Sequence, residues 1–222
     1  TGKLRPKFED APELYKESEL GWIPKEWEVK RLDELSKQIG DGIHATPKYS
    51  VNTGLYFING NNLDDGKISI FESTLCVDKD EYKRHYLALD ENTLLYSING
   101  TIGNIAIYRG EKVILGKSAA YIICRNKKLL KYLYHYLQTI FVDSFYENEM
   151  TGSTIKNLSL TSIRKTPIRI PKNENEQNFI SEKITSLASK IEYELEFLDK
   201  YQKIKSGLMQ DLLTGKKEVT PD

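Results

Sequence analysis

Residues 173–213 read NENEQNFISEKITSLASKIEYELEFLDKYQKIKSGLMQDLL. Ile180, Ile184, Leu187, Ile191, Leu195 and Leu198 fall at steps of four and three, the spacing of one helix face. The phase slips near Tyr201 and resumes at Ile204, Leu208 and Leu212. Asn173 stands where an N-cap belongs, with Glu176 three residues on and Pro171 just upstream. A helix of about 40 residues is a rod of roughly 60 Å. A compact domain of this chain's size needs no such rod for its own core. The apolar stripe is narrow and the other faces are charged, which is the pattern of a coiled-coil seam waiting for a partner helix. An amphipathic helix folded back on its own domain is the other reading of the same stripe.

Upstream of the rod the pattern changes period. From residue 27 to about 125, short apolar runs are bounded by Gly, Asn and Asp: Leu55–Ile58, Ile68–Ile70, Leu94–Ile98, Ile105–Tyr108, Val113–Leu115 and Ala120–Cys124. Such runs are strands, and Asp64-Asp65-Gly66, Asn99-Gly100 and Arg109-Gly110 are turn chemistry between them. Residues 78–88 and 128–147 read as helices, the second with Leu129, Leu133, Leu137, Ile140, Phe141 and Phe145 at helical spacing. The fold class is therefore α+β: a mixed, strand-rich domain followed by a long, coiled-coil-forming helix. Residues 1–20 are polar, acidic and broken by Pro6 and Pro12, and read as a surface linker. Two tryptophans, Trp22 and Trp27, follow in a span expected to dock on the core.

The chain has 222 residues, 39% of them apolar and 29% charged, with a net charge of zero. That balance describes a soluble protein and excludes a general polycation, so any nucleic-acid surface must be a local patch. Cys76 and Cys124 sit in apolar runs without ligand spacing and read as buried thiols. The first residues do not read as a signal peptide and no apolar run of membrane-spanning length occurs, so the cytoplasm is the expected location and no membrane partner is expected.

Four stretches carry candidate contacts. The loop from Gly42 through His44, Thr46 and Lys48 to Tyr49 is glycine-rich and polar. Asn59, Asn61 and Asn62 flank Gly60 in a second loop. Ser97, Asn99 and Thr101 lie in a third. Asn amides pair with adenine edges, and glycine permits close backbone approach to a groove, yet plain turns use the same residues. The fourth stretch, from Met150 to Lys172, holds Lys156, Arg164, Lys165, Arg169 and Lys172 and no acid, with Thr151 and Ser153 among its hydroxyls. Cations neutralise phosphates and hydroxyls donate to them. A solvated connector between domain and rod is the alternative. Enzyme signatures are missing: there is no phosphate-binding glycine loop and no zinc spacing among His44, His85 and His135. Glu28-Val29-Lys30 has a nuclease-like shape but no convincing acid partner upstream. The reading is binding rather than catalysis, with no cofactor and no metal.

Several of these stretches together resemble half of a type I restriction–modification specificity subunit. They are residues 15–29 (Tyr15-Lys16-Glu17 through Trp27-Glu28-Val29), the Gly42-to-Tyr49 loop, Leu94 to Ile107, and Gly152-Ser153-Thr154. Ile168-Arg169-Ile170-Pro171 with Glu176-Gln177 follows, and Leu208-Met209-Gln210-Asp211-Leu212-Leu213-Thr214-Gly215-Lys216 closes the series. The resemblance implies a target-recognition domain at residues 21–172, which would bind double-stranded DNA and read one half of a bipartite target. It implies a conserved long helix at 173–216 that sets the spacing and docks methyltransferase (modification) subunits. A restriction subunit would join the full complex. A second specificity unit would pack its helix against this one, in the same chain or a homodimer. Thr1-Gly2-Lys3 repeats Thr214-Gly215-Lys216, so residues 1–20 are expected to include the end of a preceding unit. Two other readings remain: a recognition segment of a single-chain methyltransferase–nuclease, or a non-catalytic coiled-coil interaction module.

Overall fold

The computed structural model describes residues 4–150 and 157–220. The chain divides into two compact units, residues 1–178 and 179–222. In chain order the elements are β1 (Tyr15–Ser18), β2 (Gly21–Pro24), β3 (Trp27–Arg31), α1 (Leu32–Leu35), β4 (Ser36–Asp41), β5 (Tyr49–Ser50) and β6 (Tyr56–Ile58). Then come β7 (Leu63–Asp64), β8 (Lys67–Ile68), β9 (Cys76–Val77), α2 (Lys79–Arg84), β10 (Thr93–Ser97), β11 (Ile105–Ile107), β12 (Val113–Leu115) and β13 (Ala119–Cys124). The last are α3 (Lys127–Tyr136), α4 (Ile140–Glu149), α5 (Leu160–Lys165), β14 (Pro167–Pro171) and α6 (Glu174–Leu213). The class is α+β.

Two four-stranded sheets carry the first unit. One has the order β11-β10-β13-β4 and is antiparallel throughout. Its central strands β10 and β13 are buried along their whole length, which is why Leu94–Tyr96 and Ala119–Cys124 read as apolar runs. The other has the order β12-β6-β9-β5, with β12 parallel to β6. Leu95, Ala106, Ala119, Tyr121 and Ile123 of the first sheet pack with Ile58, Val113 and Leu115 of the second, and with Leu63 of β7. Burying one such leucine contributes about 1.5–3 kcal/mol. On the opposite side of β10, the Tyr96 ring meets Tyr146 of α4 edge-on at 5.8 Å.

Three expectations change. The helix expected over 128–147 is two helices. The chain leaves helical geometry at Thr139 (φ −88°, ψ 150°), whose hydroxyl donates to the Tyr136 carbonyl at 2.8 Å. The break re-aims the second half: Val142 and Tyr146 are buried, while Ile140 and Phe141 are exposed. The helix expected over 78–88 is the shorter α2, capped by the Asp78 carboxylate on the amides of Asp80 and Glu81. The segment expected to be a linker contains β1, paired with β2 in a hairpin. Phe8 stacks on Trp22 at 4.3 Å, and the Tyr15 hydroxyl donates to the Pro6 carbonyl at 2.5 Å. Its aromatic residues hold it in place despite its acidic composition.

The second unit is mostly α6. Ile184, Leu187, Ile191, Leu195, Leu198, Ile204, Leu208 and Leu212 are all exposed, and Ile180 is half-buried. Monomeric proteins rarely leave so long an apolar face on water. Where the stripe slips phase, Tyr193, Phe197 and Tyr201 form a ladder with ring separations of 4.8 and 5.9 Å. Among the described residues, no helix is long and apolar enough to cross a membrane.

Candidate nucleic-acid interface

The turn between β12 and β13, Gly116-Lys117-Ser118, gathers three of the four candidate stretches. The Gly42 amide donates to Ala119 O at 3.2 Å, and the Ile43 amide to Leu115 O at 2.8 Å. A Cβ added to Gly42 would lie 2.1 Å from Leu115 O, so this close approach requires glycine. The Ser118 hydroxyl donates to Asn59 Oδ1 at 2.9 Å and accepts from the Gly60 amide at 2.9 Å. The Ile98 amide donates to Ser118 O at 2.9 Å. Beyond Ile98, the Leu158 amide donates to Ile98 O at 2.9 Å, and Asn99 bridges Asn157. The Gly42 loop, the Asn59 loop, the Ser97 turn and the chain at Asn157 thus meet around one hub.

The expected contact residues divide by what their side chains already do. Asn62 closes a capping box: its Oδ1 accepts from the Asn59 amide at 3.0 Å, and its Nδ2 donates to Ser69 O at 3.0 Å. Asn59 is held by Ser118. Ser97 is buried, and its hydroxyl accepts from the Asn104 amide at 2.8 Å. These three amide and hydroxyl groups shape the loops. Asn61 and Thr101 are exposed, Asn99 is half-buried, and His44, Thr46, Lys48 and Tyr49 stand in solvent. His44 Nε2 lies 2.8 Å from Asp41 Oδ2. The Lys48 amide donates to the buried Glu81 carboxylate at 3.1 Å, which pins the far end of that loop and leaves the ammonium outside.

The basic stretch after Met150 is only partly a patch. Thr151, Ser153 and Lys156 lie outside the described residues. From residue 157 the stretch is built into the domain rather than being a solvated connector. Leu158, Ile163, Ile168 and Ile170 are buried, and β14 pairs antiparallel with β3. Arg164 Nη2 donates to Ile39 O at 2.9 Å. Arg169 donates to Leu20 O, and its guanidinium stacks over Phe141 at 4.3 Å. Both arginines therefore tie chain segments together, and among the described residues of the stretch only Lys165 and Lys172 are exposed cations. Glu28 and Lys30 pair with each other at 2.7 Å on β3, which accounts for that triplet structurally. Among the described residues, no group of three His, Cys, Asp or Glu side chains is placed to hold a metal ion.

Sequence reading passed over Lys117, which is exposed at the hub. The available signal was slight: Gly116 and Ser118 between two apolar runs mark a short turn, but not what that turn touches.

The family profile described as the type I restriction modification DNA specificity domain matches residues 24–205. The chain is 26% identical over 214 residues to the type I restriction enzyme MjaVIII specificity subunit of Methanocaldococcus jannaschii, covering 92% of this chain and 49% of that protein. The putative MjaX specificity subunit of the same organism is also 26% identical, covering 91% of this chain and 49% of that protein. The chain thus spans about half the length of these relatives. Among solved structures, the HsdS subunit of Thermoanaerobacter tengcongensis aligns with a TM-score of 0.58 at 17% identity, over 90% of this chain and 53% of that one. The S subunit of M. genitalium aligns with a TM-score of 0.56 at 17% identity, over 85% and 46%. At that identity the likeness speaks for the fold.

Proposed function

Because this chain belongs to the type I restriction–modification DNA specificity domain family, we propose that it reads one half of a bipartite DNA sequence within a methyltransferase–endonuclease complex. The supporting observation is the convergence of the Gly42, Asn59 and Ser97 loops on the Gly116–Ser118 turn. Exposed Thr46, Lys48, Asn61, Thr101 and Lys117 supply the groups a duplex needs: cations for phosphates, and amides and hydroxyls for base edges. Residues 21–172 act as the target-recognition domain. Residues 173–216 act as a spacer whose exposed apolar stripe packs on the helix of a second specificity unit and helps to dock the modification subunits. The unit itself is non-catalytic and needs no cofactor. The methyltransferase and restriction subunits carry the chemistry, in the cytoplasm.

The test is a duplex titration across several salt concentrations, with the modification subunits present. Affinity should fall linearly in log–log form as salt rises, since phosphate contacts release counterions. Salt-independent or absent binding contradicts the proposal.

A further inference from the structure

We propose that Lys117, at the apex of the β12–β13 turn, is a specificity residue that reaches a base edge at the centre of the reading face. The inference rests on the DNA-reading role above and assigns its central contact. Three observations carry it.

The first is position. Leu115, Ser118 and Ala119 around this turn are the groups to which the Gly42, Asn59 and Ser97 loops are bonded. Lys117 is the exposed residue between Gly116 and Ser118, where these loops are bonded. Phosphate contacts set register, and sequence is read by side chains that reach base edges.

The second is rigidity. Ser118 is fixed through its hydroxyl by Asn59 Oδ1 and the Gly60 amide, each at 2.9 Å, and through its carbonyl by the Ile98 amide at 2.9 Å. Gly116 is fixed by its amide on Ile58 O at 2.8 Å, and Asn59 Oδ1 lies 2.2 Å from where a Gly116 Cβ would stand. The two flanking residues are locked, so the Lys117 Cα is placed with the accuracy that base reading requires.

The third is chemistry. Lys117 is exposed, and among the described residues it makes no ion pair. Its ammonium is a pure donor and suits the acceptor-rich major-groove edge of guanine, O6 and N7. Asn59 and Asn62 are favoured as base readers by composition, but Asn59 Oδ1 and both polar atoms of the Asn62 amide are engaged within the fold.

The experiment uses the complex with modification subunits and a target duplex selected from a randomised pool. Wild type, Lys117→Ala and Lys117→Arg are titrated on target and scrambled duplexes at several salt concentrations. Lys117→Ala should cut the target-to-scrambled affinity ratio by roughly 5- to 150-fold. Binding to scrambled duplex and its salt slope should hold, and Lys117→Arg should recover most of the ratio. Equal weakening on both duplexes, with the salt slope reduced by about one, would make Lys117 a phosphate anchor and overturn the inference. A wild-type preference that Lys117→Ala leaves intact overturns it as well, while the DNA-reading role stands. A wild-type complex with no preference for any duplex overturns both.

Discussion

The indole Nε1 of Trp27 donates to Glu176 Oε1 at 3.1 Å, and Arg5 Nη2 reaches the same oxygen at 3.2 Å. Trp27 opens β3, and Glu176 lies in the first turn of α6. One carboxylate therefore joins the strand layer, the amino-terminal segment and the start of the long helix. An acid in the first turn also meets the positive end of the helix dipole.

Glu176→Ala should lower unfolding stability by about 1 kcal/mol, a figure that allows for partial exposure of the carboxylate. Glu176→Gln should retain much of it by keeping an acceptor for the indole. Urea titration followed by tryptophan fluorescence reads both. A wild-type midpoint in Glu176→Ala would remove this residue from the account.

Gly42→Ala should destabilise the domain by about 1–3 kcal/mol, since the new methyl meets the Leu115 carbonyl and backbone must shift. Thermal melting gives the answer directly. Gly54 provides the control for glycine removal at an open site: nothing lies within 4 Å of its Cβ position, although its positive φ adds backbone strain of its own. A Gly42→Ala protein that melts with wild type would mean the loop is not seated against β12.

Burial pushes the Cys124 thiol up to about 12, with Asp90 adding to the shift and Lys37 opposing it. Folded protein at neutral pH should therefore leave Cys124 unalkylated by iodoacetamide, and urea should expose it. Mass spectrometry of the tryptic peptides distinguishes Cys124 from the half-buried Cys76. Rapid labelling of Cys124 without denaturant contradicts the buried position of β13.

Burial also holds the His135 imidazole below its ordinary pKa. The unfolded chain then takes up the proton first as pH falls. Stability is level above about 6.5, the unperturbed histidine value, and declines as pH drops through it toward the folded value. His135→Gln should flatten that part of the curve. Urea midpoints at a series of pH values test this, and identical curves for the two proteins would refute it.

Leu187 is 61% exposed and Ile191 53% on the α6 stripe. Leu187→Lys and Ile191→Lys should abolish association through that face, because a charge sealed in a helix seam costs several kcal/mol. Sedimentation velocity of wild type and both variants, over a range of concentrations, is the check. A wild type that stays monomeric throughout, with variants that sediment identically, contradicts self-association through this face.

The long helix was legible because its evidence is local. Capping at Asn173 and a recurring apolar position every three to four residues survive without knowledge of anything else. Strands β1 to β5 and β14 were not legible, whereas β6, β8 and β10 to β13 were, for the same reason as the helix, as apolar runs between turn residues. Their partners were not. The parallel pairing of β12 with β6 and the closure of β14 on β3 join segments far apart in sequence, and no local pattern encodes such choices. The break at Thr139 was hidden because a hydroxyl turning back on its own backbone leaves composition unchanged. The candidate site shows the same division. Its loops were visible as Gly and Asn clusters. The roles of Asn59, Asn62, Arg164 and Arg169 depend on carbonyls and hydroxyls brought in by the fold. Lys117 was invisible because its importance comes only from what surrounds the turn.

The most direct measurement of the central claim is selection of duplexes from a randomised pool by the assembled complex, followed by sequencing of the bound fraction. The account predicts convergence on a fixed, short half-site, and loss of that half-site alone when Asn61, Thr101 and Lys117 are replaced together by alanine. A bound pool that stays random, or a half-site unchanged by the triple replacement, would contradict it.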